Sequence, residues 1–167
     1  MRNIFTSNHF FTILFAFIIV SCSTSSSSRI VKPESLTENF IIEKIVVTDS
    51  TGTPQDLNID IKNRMKESFR DKLTKYSSDN QYFSKYSIYI DIRDYEQGSA
   101  ALRWAIPGMG ETYLNVEATL YDENKNVVSQ YRAARSVQGG GGYTAGAWKR
   151  VFDSVSSELL KNIFTKN

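Results

Sequence analysis

Few side chains in this 167-residue chain could do chemistry: one cysteine, Cys22, one histidine, His9, and five carboxylates grouped in the middle of the sequence, Asp91, Asp94, Glu96, Glu111 and Glu117. A thiolate with an imidazole would suit nucleophilic or zinc chemistry. A carboxylate pair would suit acid and base work on a glycosidic bond. Which of these survives depends on where Cys22 and His9 fall.

Cys22 closes the tetrapeptide Ile19-Val20-Ser21-Cys22, behind the uncharged run Phe10 to Val20 and an N-terminus whose one firm positive charge is Arg2. The arrangement resembles a bacterial lipobox, in which cleavage falls between Ser21 and Cys22, the thiol takes a diacylglycerol and the new amino group takes an acyl chain. The apolar run is about half the ~20 residues that a bilayer-spanning helix needs, as expected for the h-region of a signal peptide. Two or more acyl chains anchor stably where one is marginal. Ser23, in place of an aspartate after the cysteine, is similar to an outer-membrane sorting pattern. The expected location is therefore the outer membrane, lipid-anchored and facing the periplasm, or the plasma membrane of a monoderm cell.

Processing there discards His9 with residues 1–21 and turns the sole thiol into a thioether. Cysteine-histidine and serine-histidine-acid catalysis, zinc sites built on imidazole or thiolate, and internal disulfides are lost together. No metal and no cofactor is expected beyond the covalent lipid on Cys22. Of 20 Lys and Arg, cleavage takes Arg2 and leaves 19 against 18 Asp and Glu, a balance that gives no case for nucleic acid or for electrostatic adhesion to anionic lipid. Only the carboxylates keep a catalytic reading open, that of a glycan hydrolase. Carboxylates on strands are commonly solvated surface charges, so the expectation is a protein that is not an enzyme.

The elements that must position these residues follow from periodicity. Ser23 to about Thr37, rich in serine and containing Pro33, reads as a flexible tether over residues 22–37, leaving 38–167 as one domain. Phe40 to Thr48 is rich in β-branched residues and ends in a cluster of turn formers. Ile61, Met65, Phe69, Leu73 and Tyr76 recur at spacings of three and four, which predicts a helix from about Asp56 to Tyr76 capped by Asp56 or Asn58. Tyr86, Ile88, Ile90 and Ile92 alternate with polar neighbours, as do Leu114, Val116, Ala118 and Leu120, which predicts two half-buried strands. Asp122 to Asn126 suits a hairpin into a strand over Val127 to Val137, with Asn supplying the left-handed residue. Trp148, Val151, Phe152, Val155, Leu159 and Ile163 stripe a closing helix from Ala147 to Phe164, with Thr144 as its candidate cap.

The order β-α-β-β-β-α predicts an α+β, two-layer fold: a four-stranded, mostly antiparallel mixed sheet with both helices on one face. The other face would carry Tyr89, Asp91, Arg93, Tyr113, Asn115, Glu117, Thr119, Tyr121, Gln130 and Arg132. Either it is a solvated surface held by cross-strand pairs, or its tyrosines make it a partner-binding face. Gly139, Gly140, Gly141 and Gly142 are expected to form a structural turn. An anion-binding nest is the lesser reading, since the chain has neither the parallel strand that a dinucleotide fold adds after the helix nor a Gly-Lys-Ser/Thr. Between Gly98 and Gly110, Leu102, Trp104, Ile106 and Met109 either plug one end of the core or form an exposed partner-binding or membrane-binding patch.

Arg103-Trp104, Gly108-x-Gly110, Leu114-x-Val116-x-Ala118-x-Leu120-x-Asp122 and Gly139 to Gly142 before a closing helix together resemble an uncharacterised bacterial lipoprotein family, domain of unknown function four-four-one-zero, over about residues 86–164. Asn126 departs from it where the family more often has glycine. The resemblance implies a small envelope lipoprotein without an established activity. The combined expectation is a non-catalytic binding or scaffold module, membrane-attached through its lipid, whose partner is another envelope protein or an envelope polymer. An auxiliary lipoprotein of a transport or secretion assembly is the alternative.

Overall fold

The computed structural model describes residues 25–31, 40–52, 60–76, 84–106, 109–137 and 146–164. In chain order these form β1 (Ser25–Val31), β2 (Phe40–Asp49), α1 (Ile61–Leu73), β3 (Ser84–Glu96), α2 (Ala100–Ala105), β4 (Thr112–Tyr121), β5 (Val127–Val137) and α3 (Ala147–Phe164). The predicted α+β architecture forms, with the four expected strands joined side by side as β5-β4-β3-β2. All neighbours run antiparallel except β2 and β3, which are parallel. That exception follows from α1, since parallel strands need a crossover and the helix supplies it.

A fifth strand corrects the expected tether. β1 pairs antiparallel with β5, from Ser25 opposite Arg135 to Val31 opposite Gln130, so part of the serine-rich segment belongs to the sheet. Composition concealed this because strand addition uses main-chain groups, which a serine run possesses like any other. The rest of that segment, the signal residues with Ser21 and Cys22, and the turn at Gly139 to Gly142 lie outside the described residues.

The core is the layer between sheet and helices. Ile88, Ile90 and Ile92 of β3 and Leu114, Val116, Ala118 and Leu120 of β4 are buried against Ile61, Met65 and Phe69 of α1 and Val151, Phe152, Val155, Leu159, Leu160 and Ile163 of α3. At one edge Phe40 stacks on Phe164, ring centroids 4.8 Å apart, and Tyr76 stacks on the same ring. The helices also share a polar seam. Ser68 Oγ donates to Asp153 Oδ1 at 2.7 Å and accepts from Ser156 Oγ at 3.1 Å.

Local chemistry sets the boundaries and moves some of them. α1 begins at Ile61, not near Asp56, because Asp60 is the cap and its Oδ1 accepts the Asn63 amide at 3.0 Å. In the β4–β5 hairpin the left-handed residue is Lys125, φ 66°, while Asn126 gives its amide to Asp122 Oδ1 at 2.8 Å. A bulge at Arg93 shifts β3 by one residue, which turns Tyr95 into the core against Phe152, 5.4 Å between rings. Strict alternation placed no tyrosine there.

Candidate functional site

The face of the sheet away from the helices carries an ionic row that crosses β2, β3, β4 and β5. Asp91 on β3 lies opposite Thr48 on β2 and Glu117 on β4, and Glu117 lies opposite Arg132 on β5. Thr48 Oγ1 and Ser50 Oγ each donate to Asp91 Oδ1 at 2.8 Å. The Arg93 guanidinium bridges the two acids, 3.0 Å to Asp91 Oδ2 and 2.8 Å to Glu117 Oε2, while Arg132 takes Glu117 Oε1. Hydrogen bonding from Arg132 and Arg93 outweighs partial burial and holds the Glu117 carboxyl below its usual range. A general acid needs the opposite displacement.

Beyond this row, toward the β4–β5 hairpin, lies an open groove of ≈640 Å³ that includes Glu43, Lys85, Ser87, Tyr89, Tyr121 and Lys125 in its lining. Tyr89 and Tyr121 meet edge to face, 5.0 Å between centroids at 75°, and Tyr89 remains 40% exposed. Lys85 Nζ pairs with Glu43 Oε1 at 3.1 Å across the β2 bulge. The groove thus offers an aromatic wall with both signs of charge on its rim. None of the five candidate carboxylates of the hydrolase reading, Asp91, Asp94, Glu96, Glu111 and Glu117, is in its lining.

Tyr113 does not join this site. It lies opposite Glu96 at the far end of β4, eight residues from Tyr121 and therefore roughly 27 Å away along the strand. Partial burial raises its phenol, and the charges of Asp94, Glu111 and Glu96 raise it further. Those three carboxylates gather at this end instead of forming a dyad with Glu117.

The connection from β3 to β4 is a built projection. Gly98 takes φ +66° so close to the opposite strand of the loop that an added Cβ would stand 2.1 Å from the Glu111 carbonyl oxygen. Ser99 donates its amide to Gly110 O at 3.1 Å, Thr112 Oγ1 donates to Gln97 O at 2.6 Å, and Ser99 Oγ caps α2 by accepting from Leu102 N. Ile106 N then bonds Leu102 O and Met109 N bonds Ile106 O. The projection carries Leu102, Ile106 and Met109 at 43%, 46% and 49% exposure. Of the two readings of this loop, core plug or exposed patch, these three residues follow the second. The side chain of Trp104 lies outside the described residues.

Sequence reasoning placed the acids and tyrosines on one face but missed how they divide. The signal for Thr48 and Ser50 as partners of Asp91 lay in the parallel register of β2 on β3, which no local pattern encodes. Among the described residues no group of His, Cys, Asp and Glu could hold a metal ion.

Comparisons with known proteins bear on the family. A family model described as "Domain of unknown function (DUF4410)" matches residues 18–141. No curated protein matches the chain. Among solved structures, the chain is similar to the PelC dodecamer from Paraburkholderia phytofirmans, at 15% identity, 80% of this chain, 96% of that one and a TM-score of 0.44. It is similar to a protein from Xanthomonas campestris at 13% identity, 80% and 90% coverage and a TM-score of 0.49. A candidate lipoprotein from Caulobacter crescentus gives 17% identity, 72% and 84% coverage and a TM-score of 0.38.

Proposed function

The chain belongs to the family of the domain of unknown function DUF4410, and from that premise we propose that it is a lipid-anchored lipoprotein of the cell envelope, outer-membrane and periplasm-facing, acting as a non-catalytic binding module. Its anchor is a diacylated and acylated Cys22 exposed by cleavage after Ser21. Its binding site is the groove walled by Tyr89 and Tyr121, and its ligand is another envelope protein or an envelope polymer.

The observation that carries this reading is the exposed Tyr89–Tyr121 pair inside a groove with Lys85 and Glu43 on its rim. Tyrosine at a concave surface supplies large contact area with little conformational entropy to lose, and the rim charges add orientation. The acids at the middle of the face support the non-catalytic side of the proposal. Asp91 and Glu117 are consumed by Thr48, Ser50, Arg93 and Arg132, so the face resembles a rigid platform more than a proton-transfer site.

The test is in-cell crosslinking of the intact lipoprotein, purified from its own membranes. Tyr89→Ala and Tyr121→Ala are expected to lose a crosslinked species that survives Lys62→Ala on the exposed side of α1. Identical species from all three proteins would refute the groove as the binding site.

A further inference from the structure

We propose that the α2 projection, through Leu102, Ile106 and Met109, seats in the surface of the same bilayer that holds the acyl chains of Cys22, fixing the domain with its groove turned away from the membrane. This rests on the lipid-anchor reading above and adds a second, protein-borne contact to it.

The strand registers carry the inference. Thr112, the first residue of β4, lies opposite Val137 at the end of β5, and Ser25, the first residue of β1, lies opposite Arg135 of β5. Glu96 at the end of β3 lies opposite Tyr113. One end of the sheet therefore holds the start of β1 together with both stems of the α2 projection. Cys22 precedes Ser25 by three residues, and three trans peptide steps span at most about 11 Å. The acyl chains must leave the domain at the end where the three apolar side chains are exposed. Tyr121 and the groove lie at the other end of β4, nine residues along from Thr112 and roughly 30 Å away.

Two further features suit a lipid surface. β1 is paired with β5 at six positions, so the anchor is joined to the sheet itself and not to a long leash that would let the domain tumble. The projection is pinned at its base by the Gly98–Glu111 approach and the Ser99–Gly110 bond, so its apolar residues are held out and do not collapse inward. An apolar patch of this kind enters the boundary between headgroups and acyl chains, about 5–10 Å deep. With Asp94, Glu96 and Glu111 near its stems, attraction to anionic lipid is not what draws it there.

The experiment uses the full lipoprotein, purified from its host and reconstituted in phosphatidylcholine vesicles bearing a nitroxide quencher on the acyl chain. Met109→Cys and Asn124→Cys each supply one free thiol for an environment-sensitive fluorophore, and mass spectrometry reports the lipid on Cys22. Lipidated protein whose label is quenched at 109 and unquenched at 124 is the expected result. A lipidated Met109→Cys protein whose label stays in water, or is shielded from water yet untouched by the lipid quencher, overturns this contact alone. Absence of lipid on Cys22 overturns the anchor reading and this inference with it.

Discussion

Asp91 and Glu117 face each other across β3 and β4, two carboxylates held together by the single Arg93 guanidinium that reaches both. The β3 bulge makes this possible, because Arg93 is the residue left without an opposite number and is free to lean over its neighbours. Arg93→Ala should leave like charges side by side and destabilise the fold by about 1 kcal/mol, the upper end for cross-strand and surface pairs. Chemical denaturation at neutral pH measures it, and a double variant with Asp91→Asn should recover most of the loss.

The same row gives an acid limb. Glu117 is held below its ordinary value of 4.5, first by the Arg132 hydrogen bond and then by Arg93. A depressed carboxylate contributes stability that is present above the ordinary value and disappears as pH falls through the folded one. Glu117→Gln should therefore flatten the decline of stability below the ordinary carboxylate range, and Arg132→Ala should shift that decline upward in pH. Unfolding midpoints across acid pH decide between these outcomes and no change.

Tyr95 predicts the opposite, alkaline limb. Burial raises its phenol from 10.0 to about 12, and its hydroxyl is buried without a hydrogen-bond partner. The unfolded chain releases this proton first, so stability should fall as pH rises from 10.0 toward 12. Tyr95→Phe removes both that loss and an unsatisfied hydroxyl, and should stabilise the protein by about 1 kcal/mol at neutral pH. Near-ultraviolet absorbance during alkaline titration should show one late-titrating tyrosine fewer.

Tyr95 also marks where the sequence stops being readable. Ile88, Ile90 and Ile92 announce their strand because each buried side chain repeats at period two, and the α3 stripe announces its helix in the same way. Past Arg93 the parity inverts, and a bulge leaves no trace in hydrophobicity. β1 was hidden for a related reason, since its pairing with β5 is a main-chain event and its serines resemble linker. Tyr89, Tyr113 and Tyr121 were legible as one face but not as two ends, because distance along β4 and the β3 register decide which of them meet. The exposure of Leu102, Ile106 and Met109 depended on the Gly98 turn and the Ser99–Gly110 amide bond, both tertiary facts about Glu111 and Gly110.

The polar seam between helices is a stability device. Asp153 accepts from Ser68 at 2.7 Å and pairs with Arg64 at 3.4 Å, and Ser68 is almost completely buried. Asp153→Ala deprives the Ser68 hydroxyl of its acceptor inside the helix layer, which should cost about 1–3 kcal/mol. Replacing Ser68 by alanine in the same protein removes the stranded Ser68 donor and should restore part of the loss, and only part, because the buried Ser156 hydroxyl then loses Ser68 as its acceptor. Urea unfolding of the two single variants and the double variant measures the coupling.

Gly98 concentrates the geometry of the α2 projection in one residue. Its φ of +66° is unfavourable for any side chain, and an added Cβ would stand 2.1 Å from a backbone oxygen that no rotamer change moves aside. Gly98→Ala must therefore part the two stems, breaking the Ser99–Gly110 and Thr112–Gln97 bonds at the base. The loss of stability should be about 1–3 kcal/mol from backbone strain, yet the core under β3 and β4 has no direct share in it. A lowered unfolding midpoint with an unchanged Tyr89–Tyr121 groove is expected, read by crosslinking through the groove in cells. If the projection seats in lipid, the same variant should also leave a fluorophore at position 109 less protected by the bilayer, since the apolar residues would no longer be held together at the anchor end of the sheet.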